Sequence, residues 1–415
     1  MRGDDVQEAK SEARALAGAQ RGFFAVDRRV FTAVVDLGRN AAIAYLIVAR
    51  GTGRDNMTSS WSMHAIEQRT SIARSRGKTA IATLLNEGLL RQTGTGARPK
   101  YELLPWAEVA SRFREPLSAF EQQAFDLVNL GKALPHGHLV NAATRAAAKG
   151  RLRSLGNDQF GLPEQESDRH LVWLPNTLVD GAMGETSPLE RLRQNGDSKA
   201  IQLLVDLYDS QNLREDGDIS RSVVFQLWDR LELGSFGEFT IWGFMPSRQT
   251  SARATEIVKA QWDADAKSPE GRYAPFWRRL VILQDCGLIE WVPCLFERGD
   301  EDGEIIHTLL LSGDGGPEDR LARAAQQAGS ALLIAAHKSH ALGKGVELLV
   351  PVKRHISGVQ IINIARLRYR PHTKRTSAWW AELNSACEAH IYEYESLTAR
   401  AQGGRDPCTR ADIAV

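Results

Sequence analysis

Between residues 21 and 105 the pattern of apolar and polar positions changes period in a set order. Phe23, Phe24, Val26, Val30 and Phe31 make an apolar lead-in with charges between them. From Arg39 to Arg50, Ile43, Ala44, Ile47 and Val48 fall at helical spacing and Gly51 closes the run, which predicts an amphipathic helix. A polar stretch, GTGRDNMTSS, leads to a shorter helix over 62–69. Thr70-Ser71 then makes a turn, with Ser71 placed as the N-cap of a third helix over 72–86 that stops at Gly88. Two strands, 89–93 and 100–104, surround the turn GTGARP.

Helix, helix, turn, helix, hairpin is the order of a winged helix-turn-helix, and the third helix has two distinct faces. Ala73, Gly77, Ala80, Ile81 and Leu84 share the side expected to pack inward. Ser75, Thr79, Ala82 and Asn86 lie opposite, flanked by Arg76 and Lys78. Small and hydroxyl groups at the centre permit close approach to base edges, while the flanking cations reach phosphate or guanine. Arg74 sits at the helix N-terminus, where a phosphate is readily held. The hairpin adds Arg91, Arg98 and Lys100 for phosphate or minor-groove contact. From Arg21 to Lys100, Lys and Arg exceed Asp and Glu by eight, so the basic balance is local even though the whole chain is formally +1.

A weaker echo of this pattern follows. HLVWLPNTLVDG parallels FFAVDRRVFTAV, and SKAIQLLVDLYDSQNLREDGDISR parallels the helix and polar loop after residue 39. Cys286-Gly287-Leu288-Ile289 stands where Glu87-Gly88-Leu89-Leu90 does, with strands expected over 288–297 and 304–311. About forty residues around FGEFTIWGFMPSRQ and QWDADAKSPEG interrupt this second unit. Its wing tip, ERGDEDGE, is acidic and would repel phosphate, leaving Arg278 and Arg279 for a DNA contact or the whole unit for protein binding. Between the units, Lys132, Arg145, Lys149, Arg151 and Arg153 occur without an intervening acid, which suits either a DNA backbone or a solvated helix face. Beyond residue 313 a helix over 317–339, strands, and a helix over 377–399 are expected. Strand alternation would place Arg366, Arg368 and Arg370 on one exposed face with Trp379 and Trp380 nearby, which suits either a grip on nucleic acid or an edge strand guarded by charge.

The fold class expected is therefore α+β: mainly α with small β-hairpin wings, as tandem winged units. The expected divisions are a tail over 1–20, a DNA-binding domain over 21–105 and a helical connector over 106–168. A degenerate second winged domain over 169–312, a basic C-terminal α+β domain over 313–400 and a disordered tail over 401–415 complete them. Apolar content of 43% and charged content of 25% fit a globular chain of 415 residues and exclude wholesale disorder. Cys286, Cys294, Cys387 and Cys408 form no C-x-x-C pair, which fits a reducing compartment and supplies no zinc site. MRGDDVQEAKSEARALAGAQ lacks the apolar core of a signal peptide, and the Ala41–Ala49 run is too short for a bilayer. A cytoplasmic, nucleoid-associated protein is expected.

FFAVDRRVF, AAIAYLIVARG and TSIARSRGKTAIATLLNEGLL with its wing resemble the winged-helix domain of plasmid and prophage replication initiators. The resemblance covers about a quarter of the chain. It implies a sequence-specific, double-stranded DNA-binding protein of a plasmid, prophage or integrated mobile element. Its partners would be duplex DNA, host replication proteins and a second copy of the chain, with no membrane. A transcriptional regulator and a protein-binding adaptor are the competing readings. Catalytic readings find little support. His136-Gly137-His138 lacks the bulky apolar middle residue of rolling-circle nickases, and Tyr208 is far from it. His337 and His340 have no third ligand, and Gly343-Lys344-Gly345 lacks the rest of a phosphate loop. The expectation is a protein without catalysis, cofactor or metal.

Overall fold

The computed structural model describes residues 22–94, 99–113, 116–135, 137–149, 151–162, 170–181, 186–297, 303–338, 345–356, 358–370 and 374–403. They form two compact units, one of residues 24–173 and one built mainly from residue 174 onward. The whole is mixed α+β.

The first unit opens with strand β1 (Phe23–Asp27) and helix α1 (Arg28–Asp36), which Asp27 caps by accepting the Arg29 N–H at 3.0 Å. Helix α2 (Arg39–Arg50) buries every residue from Ala41 to Ala49, so it is the central rod and not a surface amphipathic helix. Asp55 ties the following loop by accepting the N–H groups of Met57 and Thr58 at 3.1 and 3.2 Å, before the short strand β2 (Thr58–Ser59). Ser62 caps helix α3 (Met63–Thr70). Ser71 was expected to cap the next helix; instead it ends α3 in the left-handed region at φ 49°. Helix α4 (Arg74–Asn86) starts two residues later than expected, with Ala73 as its N-cap and no side-chain cap.

Gly77 faces α3, where a Cβ would lie 2.4 Å from the Met63 methyl, the movable end of a flexible side chain. Past α4, Gly88 at φ 64° turns the chain: its N–H donates to Leu85 and that of Leu89 to Leu84. Strands β3 (Leu90–Gln92) and β4 (Tyr101–Leu103) then form a hairpin, with β4 between β2 and β3.

The segment expected as a helical connector holds α5 (Trp106–Phe113), α6 (Ala119–Asn129) and α7 (His138–Ala148). It also contains an unforeseen hairpin, β5 (Arg153–Gly156) with β6 (Gln159–Gly161). Small side chains, Ala124, Ala142, Ala143 and Ala146, let α6 and α7 pack closely. Strand β7 (Leu171–Pro175) pairs with β1.

The second unit begins with α8 (Thr177–Asp180), α9 (Pro188–Asn195) and α10 (Ser198–Asp209). Two short strands follow, β8 (Gln211–Asn212) and β9 (Asp218–Ile219). The stretch read as an interruption is a long hairpin, β10 (Val224–Phe236) and β11 (Phe239–Ala252), followed by α11 (Glu256–Lys259) and α12 (Pro269–Asp285). Then come β12 (Ile289–Glu297), β13 (Glu304–Thr308), α13 (Pro317–Ala335), β14 (Leu348–Lys353), β15 (Gln360–Leu367) and α14 (Lys374–Ala401).

Six of these strands form one curled antiparallel sheet in the order β13-β12-β15-β10-β11-β14. That order corrects two expectations. The β12–β13 pair is not a small wing, because β12 carries β15 on its other edge over eight residue pairs. Nor do residues after 313 stand apart, because β14 and β15 complete a sheet begun at residue 224. Helix α13 packs on β14, β10 and β11, and α14 packs on α13. Their shared core includes Phe239, Phe244, Leu321, Leu332, Val350, Ile361 and Ile391. The tail over 1–20, expected to be disordered or helical, and most of the disordered tail expected over 401–415 lie outside the described residues.

Candidate nucleic-acid interface

Helix α4 is held by its apolar side alone. Gly77, Ala80, Ile81 and Leu84 are buried, while Arg74, Ser75, Arg76, Lys78, Thr79, Ala82 and Asn86 are all exposed. Exposure at these seven positions follows from the 3.6-residue period, since the buried set leaves the opposite arc open. No acid occurs within α4, so the exposed arc carries three cations and no anion of its own. The Thr79 hydroxyl donates to the Ser75 carbonyl at 3.2 Å, and the Thr83 hydroxyl to the Thr79 carbonyl at 3.0 Å. These back-bonds occupy the hydroxyl protons, so neither threonine has a hydroxyl donor to spare.

The hairpin contributes less positive charge than the sequence promised. Arg91 is exposed but bridges Glu102 at 3.0 Å and Glu108 at 2.7 Å. The hydrogen bonds from Glu108 and then Glu102 raise its pKa further, so the guanidinium stays charged yet answered. Lys100 is exposed on the hairpin, and Arg98 lies outside the described residues. Two features were not read from the sequence. Arg69 and Arg50 stack on the Trp61 ring at 4.0 and 5.0 Å, beside α3. The Arg112 guanidinium lies against Gly88 at the C-terminal end of α4, where a Cβ would meet it at 2.0 Å. An aromatic flanked by arginines eleven residues before it and eight after was the available signal for the first; nothing local signalled the second.

In the connector, Glu121 gathers two of the five cations read as a possible backbone track. Its carboxylate accepts from Lys149 at 2.8 Å and Arg145 at 3.2 Å, and from the Ser118 N–H in a capping box. The Lys149 bond is the largest cause of a pKa lowered to about 2, followed by Ser118, against the opposing effect of burial. Lys149 is consequently part of the packing and not an open cation.

The second unit departs most from expectation. Arg366 and Arg370 are buried, 3% and 8% exposed, and only Arg368 is exposed. Arg366 pairs with Glu318 at 2.6 and 2.8 Å, and Arg370 pairs with Asp218 while sitting 4.9 Å from both Trp379 and Trp380. Burial opposes ionisation of Glu318, but the charge and hydrogen bonds of Arg366 outweigh it and hold the carboxyl below its ordinary range. Strand β15 ends at Leu367, so the alternation that would align the three arginines stops before Arg368. Their expected shared face toward nucleic acid is replaced by an internal ion-pair layer. Arg279 is likewise held, by Asp197 at 3.0 Å and Gln261 at 3.1 Å, whereas Arg278 is exposed. Tyr208 is buried, and its hydroxyl donates to the Tyr369 carbonyl.

Among the described residues no group of three or more His, Cys, Asp or Glu side chains is placed to hold a metal ion. His138 packs edge-on against Phe120, and His337 is exposed; His136, His340, Gly343 and Lys344 lie outside the described residues. No described helix is long and apolar enough to cross a membrane. Comparison with protein-family models, with curated proteins and with solved structures found no match for this chain.

Proposed function

We propose that the first unit is a winged helix-turn-helix that binds duplex DNA sequence-specifically, with α4 as its reading helix. The exposed arc of α4 carries this reading: small groups along its middle, cations on both flanks, and no acid. The paired β3–β4 hairpin would lie alongside the duplex as the wing. The resemblance of this part to plasmid and prophage replication initiators favours a non-catalytic origin-binding role for a mobile element, with host replication proteins as partners. A transcriptional regulator is the competing use of the same helix.

For the second unit, whose wing-like strands belong to the six-stranded sheet, contact with a protein partner competes with a DNA contact, and only the helix-turn-strand around Gly287 echoes the first unit. Gly287 at φ 66° repeats the turn at Gly88: its N–H donates to Gln284, and that of Leu288 donates to Leu283. Counting back from that turn places Trp277, Arg278 and Val281 where α4 has Lys78, Thr79 and Ala82. On the face equivalent to the reader, Ala274, Arg278, Val281 and Asp285 are all exposed, so that face mixes small and apolar groups with one cation and one acid.

The test is a salt titration of the full chain on labelled duplex DNA, with Arg76→Ala and Lys78→Ala singly and together. Each phosphate contact removed should flatten the log–log salt slope by about 0.9. Unchanged affinity and slope in the double variant would remove α4 from the interface.

A further inference from the structure

We propose that α4 reads an A·T core, spending its cations on the two phosphate backbones and its small central groups on the bases. This deepens the reading of α4 as a DNA-reading helix and rests on it. At 100° per residue, Ser75, Thr79, Ala82 and Asn86 fall within an arc of about 60°. Arg76 lies about 90° from the centre of that arc on one side, with Lys78 about 70° and Arg74 about 110° from it on the other. A helix seated on its central arc therefore sends Arg76 toward one wall of the groove and Lys78 and Arg74 toward the opposite wall. Those walls are phosphate.

What remains for the base edges is short and uncharged: the Ser75 hydroxyl, Thr79, the Ala82 methyl and the Asn86 amide. Thr79 has its hydroxyl proton committed to the Ser75 carbonyl, so it can offer a base its methyl or the acceptor lone pairs of its oxygen, but no donor. Ala82 is exposed and offers only a methyl. The base-pair feature that a methyl complements in the major groove is the thymine C5 methyl. Asn86, also exposed, ends the arc with an amide whose donor and acceptor match adenine N7 and N6. From Ser75 to Asn86 the arc rises about 16 Å, the length of about five base pairs.

Selection of bound sequences from a randomised duplex pool, using the full chain, tests this. The expected motif has an A·T core, and replacing one contacted thymine by uracil, which lacks the methyl, should weaken binding about fourfold. Asn86→Ala should lose about tenfold or more in preference for one adenine while leaving the rest of the motif intact. A selected core of G·C pairs, or indifference to uracil, overturns this assignment while leaving DNA binding in place. Failure of the full chain to bind any duplex overturns the underlying function instead, and the two outcomes are distinct.

Discussion

Arg366 and Glu318 meet through two parallel N–H···O bonds of 2.6 and 2.8 Å inside the second unit. β15 is the buried middle of the sheet, apolar on both faces from Ile361 to Leu367 apart from Asn363 and Arg366. Removing one partner strands a charge there, so Arg366→Ser should cost about 3–5 kcal/mol in denaturant unfolding. Arg368→Ser, at an exposed position, should cost under about 0.5 kcal/mol. Equal, small effects would show that the pair is not buried as described.

His307 gives the second unit a pH dependence of definite sign. Burial first, and the nearby His390 second, lower its pKa to about 3, while its Nε2 is 2.7 Å from the Tyr394 hydroxyl. The titratable and charged side chains lining the cavities beside it are His390, Glu393, Lys353, Arg214 and Glu382. A histidine kept neutral when folded binds its proton only on unfolding, so its contribution is complete above about pH 6.5. It falls as pH drops from there toward 3, by about 2 kcal/mol at pH 5. Unfolding midpoints measured across this range should decline in the parent chain and decline less in His307→Gln.

Glu121 predicts an acid response in the first unit. Its folded pKa, about 2, lies below the ordinary carboxylate value, so its contribution is present above about pH 4.5 and disappears as pH falls toward 2. Hydrogen exchange should report faster opening of α6 and α7 in Glu121→Gln at neutral pH, with little further change on acidification to pH 3. A variant as sensitive to acid as the parent would point to another carboxylate.

Arg91 offers a test of the hairpin as a wing. With Glu102 and Glu108 both bound to it, its charge is offset where a phosphate would approach. Glu102→Gln with Glu108→Gln should release the guanidinium and tighten duplex binding about two- to fivefold at low salt, the gain fading at high salt. Weaker binding in that variant would mean the carboxylates position the hairpin.

Two glycines should respond oppositely to alanine. At Gly77 the added Cβ is crowded only by the flexible end of Met63 and makes ordinary contact with Ile66 at 3.7 Å, so the helix-propensity gain of about 1 kcal/mol should prevail. At Gly329, in α13, it meets the Leu349 Cβ at 2.8 Å, and overpacking of about 1–3 kcal/mol should outweigh that gain. Thermal melting of Gly77→Ala and Gly329→Ala decides both.

The first unit was largely legible because its information is local. Ala80, Ile81 and Leu84 reveal the buried side of α4 by spacing alone, and Gly88 marks its end. Ser71 was misplaced because a serine between two helices serves equally as the end of one or the cap of the next. The arginines of β15 were unreadable for a different reason. Glu318 lies 48 residues from Arg366 and Asp218 lies 152 from Arg370, so burial depended on partners no local window contains. The sheet was hidden likewise: alternation shows that strands exist, not which edges join.

The position of β15 also orders events during synthesis. Among the described strands it is the last to leave the ribosome, yet it sits between β12 and β10. Until about residue 367 has emerged, those two strands each present an unpaired edge to the cell, the kind of edge on which nascent chains cross-associate. A chaperone that shields such edges would act on this chain late in translation. Fragments ending near residue 312 should therefore accumulate as aggregates, whereas a separately supplied 313–403 segment could restore the missing middle of the sheet.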